Sequence, residues 1–164
     1  MESGLSEIKA AGAGDIPRCA ELLGILFSQE EEFTPDVEAQ SRGLLMVLQN
    51  PGLGRIFISV SDGVIQGMVM LLFTVSTALG SKVALLEDMV VAPEWRGKGV
   101  GSLLVDHILE YARKEGFERL TLLTDRDNEL AQHFYASKGF TKSGMVVFRT
   151  ALSLSLAQKS ELLQ

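Results

Sequence analysis

Two hydrophobic periods alternate along the chain. From residue 16, Ile16, Cys19, Ala20, Leu23, Leu26 and Phe27 recur at helical spacing. Asp15 stands where an N-cap belongs, and this helix should end near Ser28. Thr34-Pro35 open a second helix that runs to about Asn50, where Pro51 and Gly52 stop it. The pattern then changes to extended apolar runs. Residues 55–60 and 64–75 read as strands joined by a hairpin turn at Ser61-Asp62-Gly63. A turn at Leu79-Gly80-Ser81 leads to a third strand, VALLEDMVV, over residues 83–91, which ends at Ala92-Pro93. The helical period returns from about Gly99 to Glu115, with Leu103, Leu104, His107, Ile108, Tyr111 and Ala112 on one side and Gly116 as C-cap. Residues 118–124 read as another strand and 128–138 as a short helix closed by Gly139. FTKSGMVVFRTAL supplies one or two last strands. Residues 6–10 make a first short strand, and the tail after Ser153 a frayed helix. This order predicts a mixed α/β domain over residues 1–164, with its core in 6–151 and a short tail at 152–164, whose sheet is covered on both faces.

The 164 residues suit one domain with a sizeable core, and 46% apolar with 22% charged residues is ordinary for a globular protein. A net charge of -6 argues against non-specific nucleic-acid binding. There is no apolar run of membrane-spanning length and no signal-peptide pattern at the N-terminus. The one cysteine, Cys19, lies on an apolar helix face and fits a reducing compartment. These features predict a cytoplasmic protein without a membrane partner. His107 reads as core and His133 as surface or cleft rim; they lack zinc spacing, so no metal is expected.

The chemistry lies in WRGKGVGSLL, residues 95–104. A strand running through glycines into a helix leaves N–H donors without intrahelical acceptors. The helix dipole adds positive charge at the same place, which makes an anion site suited to phosphate. Arg96 and Lys98 add local positive charge. The Walker pattern fails because Gly99 follows Lys98. The dinucleotide fingerprint fails because Ser102 or Leu104 stands where its third glycine belongs.

Arg96-Gly97-Lys98-Gly99-Val100-Gly101 does fit Arg/Gln-x-x-Gly-x-Gly/Ala, and so resembles the acetyl-coenzyme A signature of the GNAT superfamily of N-acetyltransferases. The approach LLEDMVVAPEWRGKG is similar to that family's, and DNELAQHFYASKGF matches its later segment at Asn128, Ala131, Phe134, Tyr135, Gly139 and Phe140. The resemblance implies a GNAT fold: a mostly antiparallel sheet of six to seven strands flanked by about four helices. It also implies acetyl-CoA as co-substrate and direct acetyl transfer to a primary amine in a ternary complex. The acceptor is expected to be a small molecule. Protein or peptide acetylation and a catalytically silent acyl-CoA-binding module are the alternatives, and a homodimer is left open.

On the same resemblance, the amides from Arg96 through Gly97, Lys98, Gly99, Val100, Gly101 and Ser102 hold the pyrophosphate. The pantetheine arm lies along Met89, Val90 and Val91, where the family's fourth and fifth strands splay apart, and the Met89 amide meets the acetyl carbonyl. Tyr135 is the expected general acid for the thiolate. Asn128 caps its helix and bonds the pantetheine arm. For the base, strand alternation sends Glu87 and Asp88 to opposite faces. Glu87, with the parity of Met89, is the first choice for the cleft, and a water chain is equally open. Glu30, Glu31 and Glu32 lie in the loop between the first two helices, where the family builds its acceptor site, and would suit a cationic amine.

Overall fold

A computed structural model describes residues 5–30 and 33–152. They form two compact units that divide between Asp127 and Asn128. The first contains β1 (Glu7–Ala10), α1 (Ile16–Phe27), α2 (Val37–Gln49), β2 (Gly54–Ser61), β3 (Val64–Ser76), β4 (Ser81–Val91), α3 (Val100–Lys114) and β5 (Leu120–Leu122). Its sheet follows chain order, β1-β2-β3-β4-β5, with antiparallel neighbours up to β4 and β5 parallel to β4. Asp62 and Gly63 both have positive φ, 49° and 75°. That is the type I′ geometry whose twist matches a two-residue hairpin. The parallel β4–β5 pair needs a crossover, and α3 provides it.

Alternation along β2 and β3 divides the core into two layers. Ile56, Ile58, Met68 and Met70 pack with Cys19, Ala20, Leu23, Leu44 and Val47 of α1 and α2. Phe57, between the two isoleucines, packs instead against His107 (ring centroids 4.8 Å) and Tyr111 (5.0 Å) of α3. Val100, Leu104, Val105, Ile108 and Ala112 are the buried stripe of α3. Leu103, expected in that stripe, is 45% exposed on its shoulder, because a helix starting at Val100 turns residues 104 and 108 most directly inward. Burial pushes the Cys19 thiol up to about 12, helped by the nearby Asp15, so this is an inert core thiol.

The buried amide of Gln40 joins the two helices of the first layer. Its Nε2 donates to Ala20 O of α1 (2.7 Å), and its Oε1 accepts from Asp36 N at the start of α2 (2.7 Å). Asp36 caps that helix, its carboxylate accepting from Ala39 N at 3.0 Å.

The second unit contains α4 (Glu129–Ser137). Asn128 caps its start by accepting from Ala131 N at 3.0 Å. At its end Gly139 N donates to Ala136 O (3.0 Å) and Phe140 N to Tyr135 O (3.1 Å), the paired bonds of a Schellman motif. The expected last strands do not form: residues 141–150 make no ladder, so the sheet has five strands among the described residues rather than six to seven. GMVVF has strand composition, but a strand exists only through its pairing, and Met145 and Phe148 are 88% and 91% exposed. The helix expected after Ser153 lies outside the described residues. Among the described residues, no helix is long and apolar enough to cross a membrane.

Candidate active site

The loop between β4 and α3 leads into the N-terminus of α3. A short 3-10 turn, Pro93–Trp95, lifts the chain off the sheet. Gly97 and Gly99 then take φ of 71° and 84°, a region costly for any residue with a Cβ. A Cβ at either position would meet no atom within 4 Å. Glycine is therefore required by the backbone path, and the space in front of the loop is open. The first α-helical bond, Leu103 N to Gly99 O at 3.0 Å, leaves the N–H groups of Val100 and Gly101 without intrahelical acceptors. Ser102, half-buried, completes that first turn. Arg96 Nε donates to Val91 O (3.0 Å) and ties the loop to the end of β4. Lys98 Nζ lies 4.8 Å from the Trp95 ring centroid. Arg18 of α1 reaches Glu94 at 3.7 Å, across the base of the loop.

The strand feeding this loop is interrupted. Met70 pairs with Asp88 but Leu71 pairs with Leu86, so Glu87 is an extra residue, a β-bulge. The ladder to β5 covers three pairs and ends at Leu86↔Leu122, immediately before the bulge. Beyond it, Met89, Val90 and Val91 pair with Val69, Met68 and Gly67 of β3 while β5 no longer follows. Val90 is core; Met89 and Val91 are half-buried.

The bulge also decides which acid faces inward. Leu85 pairs with Leu72, on the α1–α2 side of the sheet, and uninterrupted alternation would put Glu87 on that side and Asp88 opposite. With one residue extra, Asp88 is the residue opposite Met70, and Asp88 takes the α1–α2 face. There it lines a cavity of about 280 Å³ together with Leu23, Phe27, Phe33, Leu44 and Met70. Glu87 is exposed. Burial first, then the charges of Glu87 and Glu30, push the Asp88 carboxyl up to about 7. Of the other polar groups on the wall, Asp36 caps α2 through one oxygen, Gln40 bridges the helices, and Thr34 is exposed. Asp88 accepts no hydrogen bond among the described residues. Glu30 is half-buried and close enough to bias Asp88; Glu31 and Glu32 lie outside the described residues.

In the second unit, the Tyr135 ring packs at 5.2 Å from Phe134 and 5.7 Å from Phe140, and burial pushes its hydroxyl up to about 12. His133 Nδ1 donates to Glu129 O at 2.8 Å on an exposed face, and His107, half-buried, is a ring partner of the buried Phe57. Among the described residues, no three His, Cys, Asp or Glu side chains come together to hold a metal.

Sequence reading ranked Glu87 ahead of Asp88 because a bulge leaves no mark in the residue pattern. It also took Phe27 and Leu23 simply as a helix face. Phe33, an aromatic after an acidic run in a connection, was the available hint of a cavity.

Among the described residues, a five-stranded mixed sheet with a bulged strand leads into a glycine loop at a helix N-terminus, an arrangement suited to an anion. The chain belongs to the GNAT acetyltransferase family, whose signature matches residues 18–140. It is an acyltransferase of a family that uses acetyl-CoA. It is 30% identical to the uncharacterized N-acetyltransferase YhfO of Bacillus subtilis over 118 residues, 70% of this chain and 78% of that protein. It is 35% identical to streptothricin acetyltransferase of Streptomyces lavendulae over 92 residues, 56% of this chain and 47% of that one. An aminoglycoside N-acetyltransferase solved in complex with CoA shares the fold, with a TM-score of 0.77 at 20% identity over 92% of this chain and 97% of that one.

Proposed function

We propose that this protein transfers the acetyl group of acetyl-CoA directly to the primary amine of a small molecule, with Asp88 as the proton acceptor. The observation that carries this reading is Asp88 itself: a half-buried carboxylate that accepts no hydrogen bond among the described residues, on the wall of an open apolar cavity, poised near neutrality by burial and by Glu87 and Glu30. An alkylammonium has a pKa of about 10.4 by analogy with lysine and must lose a proton before it can attack. A base whose own pKa lies near the working pH is the most effective one. Asp88 takes that proton, directly or through one water.

Bound acetyl-CoA supplies an acetyl group activated as a thioester. The amides of Val100 and Gly101, with those from Arg96 to Ser102, hold its pyrophosphate; the left-handed Gly97 and Gly99 and the open space before them suit that group. Met89, Val90 and Val91 lie beyond the last β4–β5 pair, Leu86↔Leu122, a position that suits an extended pantetheine arm. The Met89 amide donates to the acetyl oxygen as charge develops there. Asn128 adds a contact to the arm. Tyr135 gives its proton to the departing sulfur and is reprotonated, through water, by the second proton that the nitrogen loses as the amide forms; held at about 12, it is protonated throughout the physiological range. No step is assigned to a metal.

The test is release of free thiol from acetyl-CoA against a panel of primary amines, with coenzyme A binding followed by calorimetry. Release with free amines supports the reading. Coenzyme A binding without transfer to any amine or peptide would overturn it in favour of a silent binding module. Preference for peptides over every free amine would replace it with protein acetylation.

A further inference from the structure

The cavity beside Asp88 says what kind of amine belongs there. Five of the residues that define it, Leu23, Phe27, Phe33, Leu44 and Met70, present hydrocarbon or thioether. Phe27 and Phe33 stack their rings 5.5 Å apart in a tilted pair at one side, with Phe33 47% exposed. Asp88 is the half-buried carboxylate on the wall that accepts no hydrogen bond among the described residues; Asp36 is exposed and accepts from Ala39 N, Gln40 bonds Ala20 O and Asp36 N, and Thr34 adds an exposed hydroxyl. One carboxylate can match one ammonium. A second or third ammonium, or a ring of hydroxyls, would be taken out of water against apolar surface with no partner. At about 280 Å³ the space is nearly twice the roughly 150 Å³ of a leucine-and-phenylalanine-lined cavity that holds benzene. It therefore has room for one aromatic ring and a short carbon chain.

We infer that the acceptor is an apolar monoamine, its hydrocarbon part, an aromatic ring or a chain of comparable size, seated among Leu23, Phe27, Phe33, Leu44 and Met70 with its amine at Asp88. This rests on the acetyl-transfer reading for its chemistry, but the cavity's affinity for such amines does not depend on it. It also separates this chain from what its relatives' names suggest: streptothricins and aminoglycosides carry several charges.

Two measurements test it. In the first, kcat/KM from thiol release is compared for 2-phenylethylamine, ethanolamine and kanamycin. A hydrophobic pocket gains on the order of 10-fold or more for each methylene equivalent it covers. The phenyl compound should therefore exceed ethanolamine by at least about 100-fold, and kanamycin should be the poorest of the three. In the second, calorimetry measures 2-phenylethylamine binding to the protein without coenzyme A, in the wild type and in Gly43→Leu. Gly43 lines the cavity from within α2, and a Cβ there would meet nothing within 4 Å. Leucine is also the better helix former, so the variant should fold at least as well while filling the space. It should weaken 2-phenylethylamine binding by about 10-fold or more. Equal kcat/KM for ethanolamine and 2-phenylethylamine, preference for kanamycin, or unchanged binding in Gly43→Leu would each overturn the inference. Binding that Gly43→Leu weakens, with no thiol release from any amine, would uphold the cavity assignment and sink the acetyl-transfer reading instead.

Discussion

At the level of single residues, Asp88 and Tyr135 are displaced from their ordinary ionisation in the same direction and for the same first cause, burial, with opposite chemical consequences. Asp88 at about 7 titrates within the working range; Tyr135 at about 12 does not. Activity should therefore rise with pH along a limb centred near 7 as Asp88 loses its proton. Asp88→Asn should lower kcat by roughly 10²–10⁴-fold and abolish that limb, as a pH–rate profile would show. Stability should move the other way. The ordinary carboxyl value is 3.8, so the fold holds Asp88 neutral more readily than the unfolded chain does. That advantage is complete below 3.8, is lost as pH rises towards 7, and stays lost above it. Asp88→Asn should consequently be more stable than wild type at pH 8, by about 1–3 kcal/mol after allowing for solvent at a partly exposed site, and show no gain at pH 3. Tyr135→Phe keeps the ring packing and removes the proton; kcat should fall by roughly 10²–10⁴-fold while calorimetry finds coenzyme A affinity unchanged.

Among the elements, the β4–α3 loop and the α1–α2 pair carry the two halves of the proposed site. Gly99→Glu forces a side chain onto a left-handed residue and places a carboxylate at the helix N-terminus proposed to hold the pyrophosphate. Coenzyme A binding should be lost in calorimetry, while circular dichroism keeps the helical signal. Gln40 is the counterpart in the helix pair. Gln40→Leu would remove the side-chain bonds to Ala20 O and Asp36 N, each worth about 0.5–1.5 kcal/mol. A drop in denaturation midpoint with an unchanged m-value is the expected result. Periodicity and end signals made most of these elements readable beforehand. Asp15 and Ser28 bound α1, Asp62-Gly63 make the turn, and Gly116 and Gly139 follow the ends of α3 and α4 as read. Two things escaped. GMVVF has the residues of a strand without forming one, because pairing is a non-local property. Asp88, and not Glu87, takes the α1–α2 face because an extra residue in a ladder is specified by its partner strand, which sequence alternation does not see.

For the molecule as a whole, the glycine loop and the Asn128–Phe140 segment were legible from their residue types, since backbone conformation and capping demand particular side chains. The cavity proposed for the acceptor was not, because its walls come from α1, α2, the connection between them, β3 and β4, and each wall reads locally as ordinary core. The bulge that gives Asp88 its face has a consequence for how such a chain can change over generations. Glu87 is one codon. Remove it, and Leu86 and Asp88 become neighbours facing Leu71 and Met70, an unbroken ladder with every hydrophobic contact of the core retained. The bend that a bulge imposes would go with it, and β5 could follow β4 past Leu86 into the position proposed for the donor. A Glu87 deletion should melt no lower than wild type and bind no coenzyme A in calorimetry. A gene of this kind lies one in-frame triplet from a stable, inert scaffold, and from a sequence profile that would hardly register the difference.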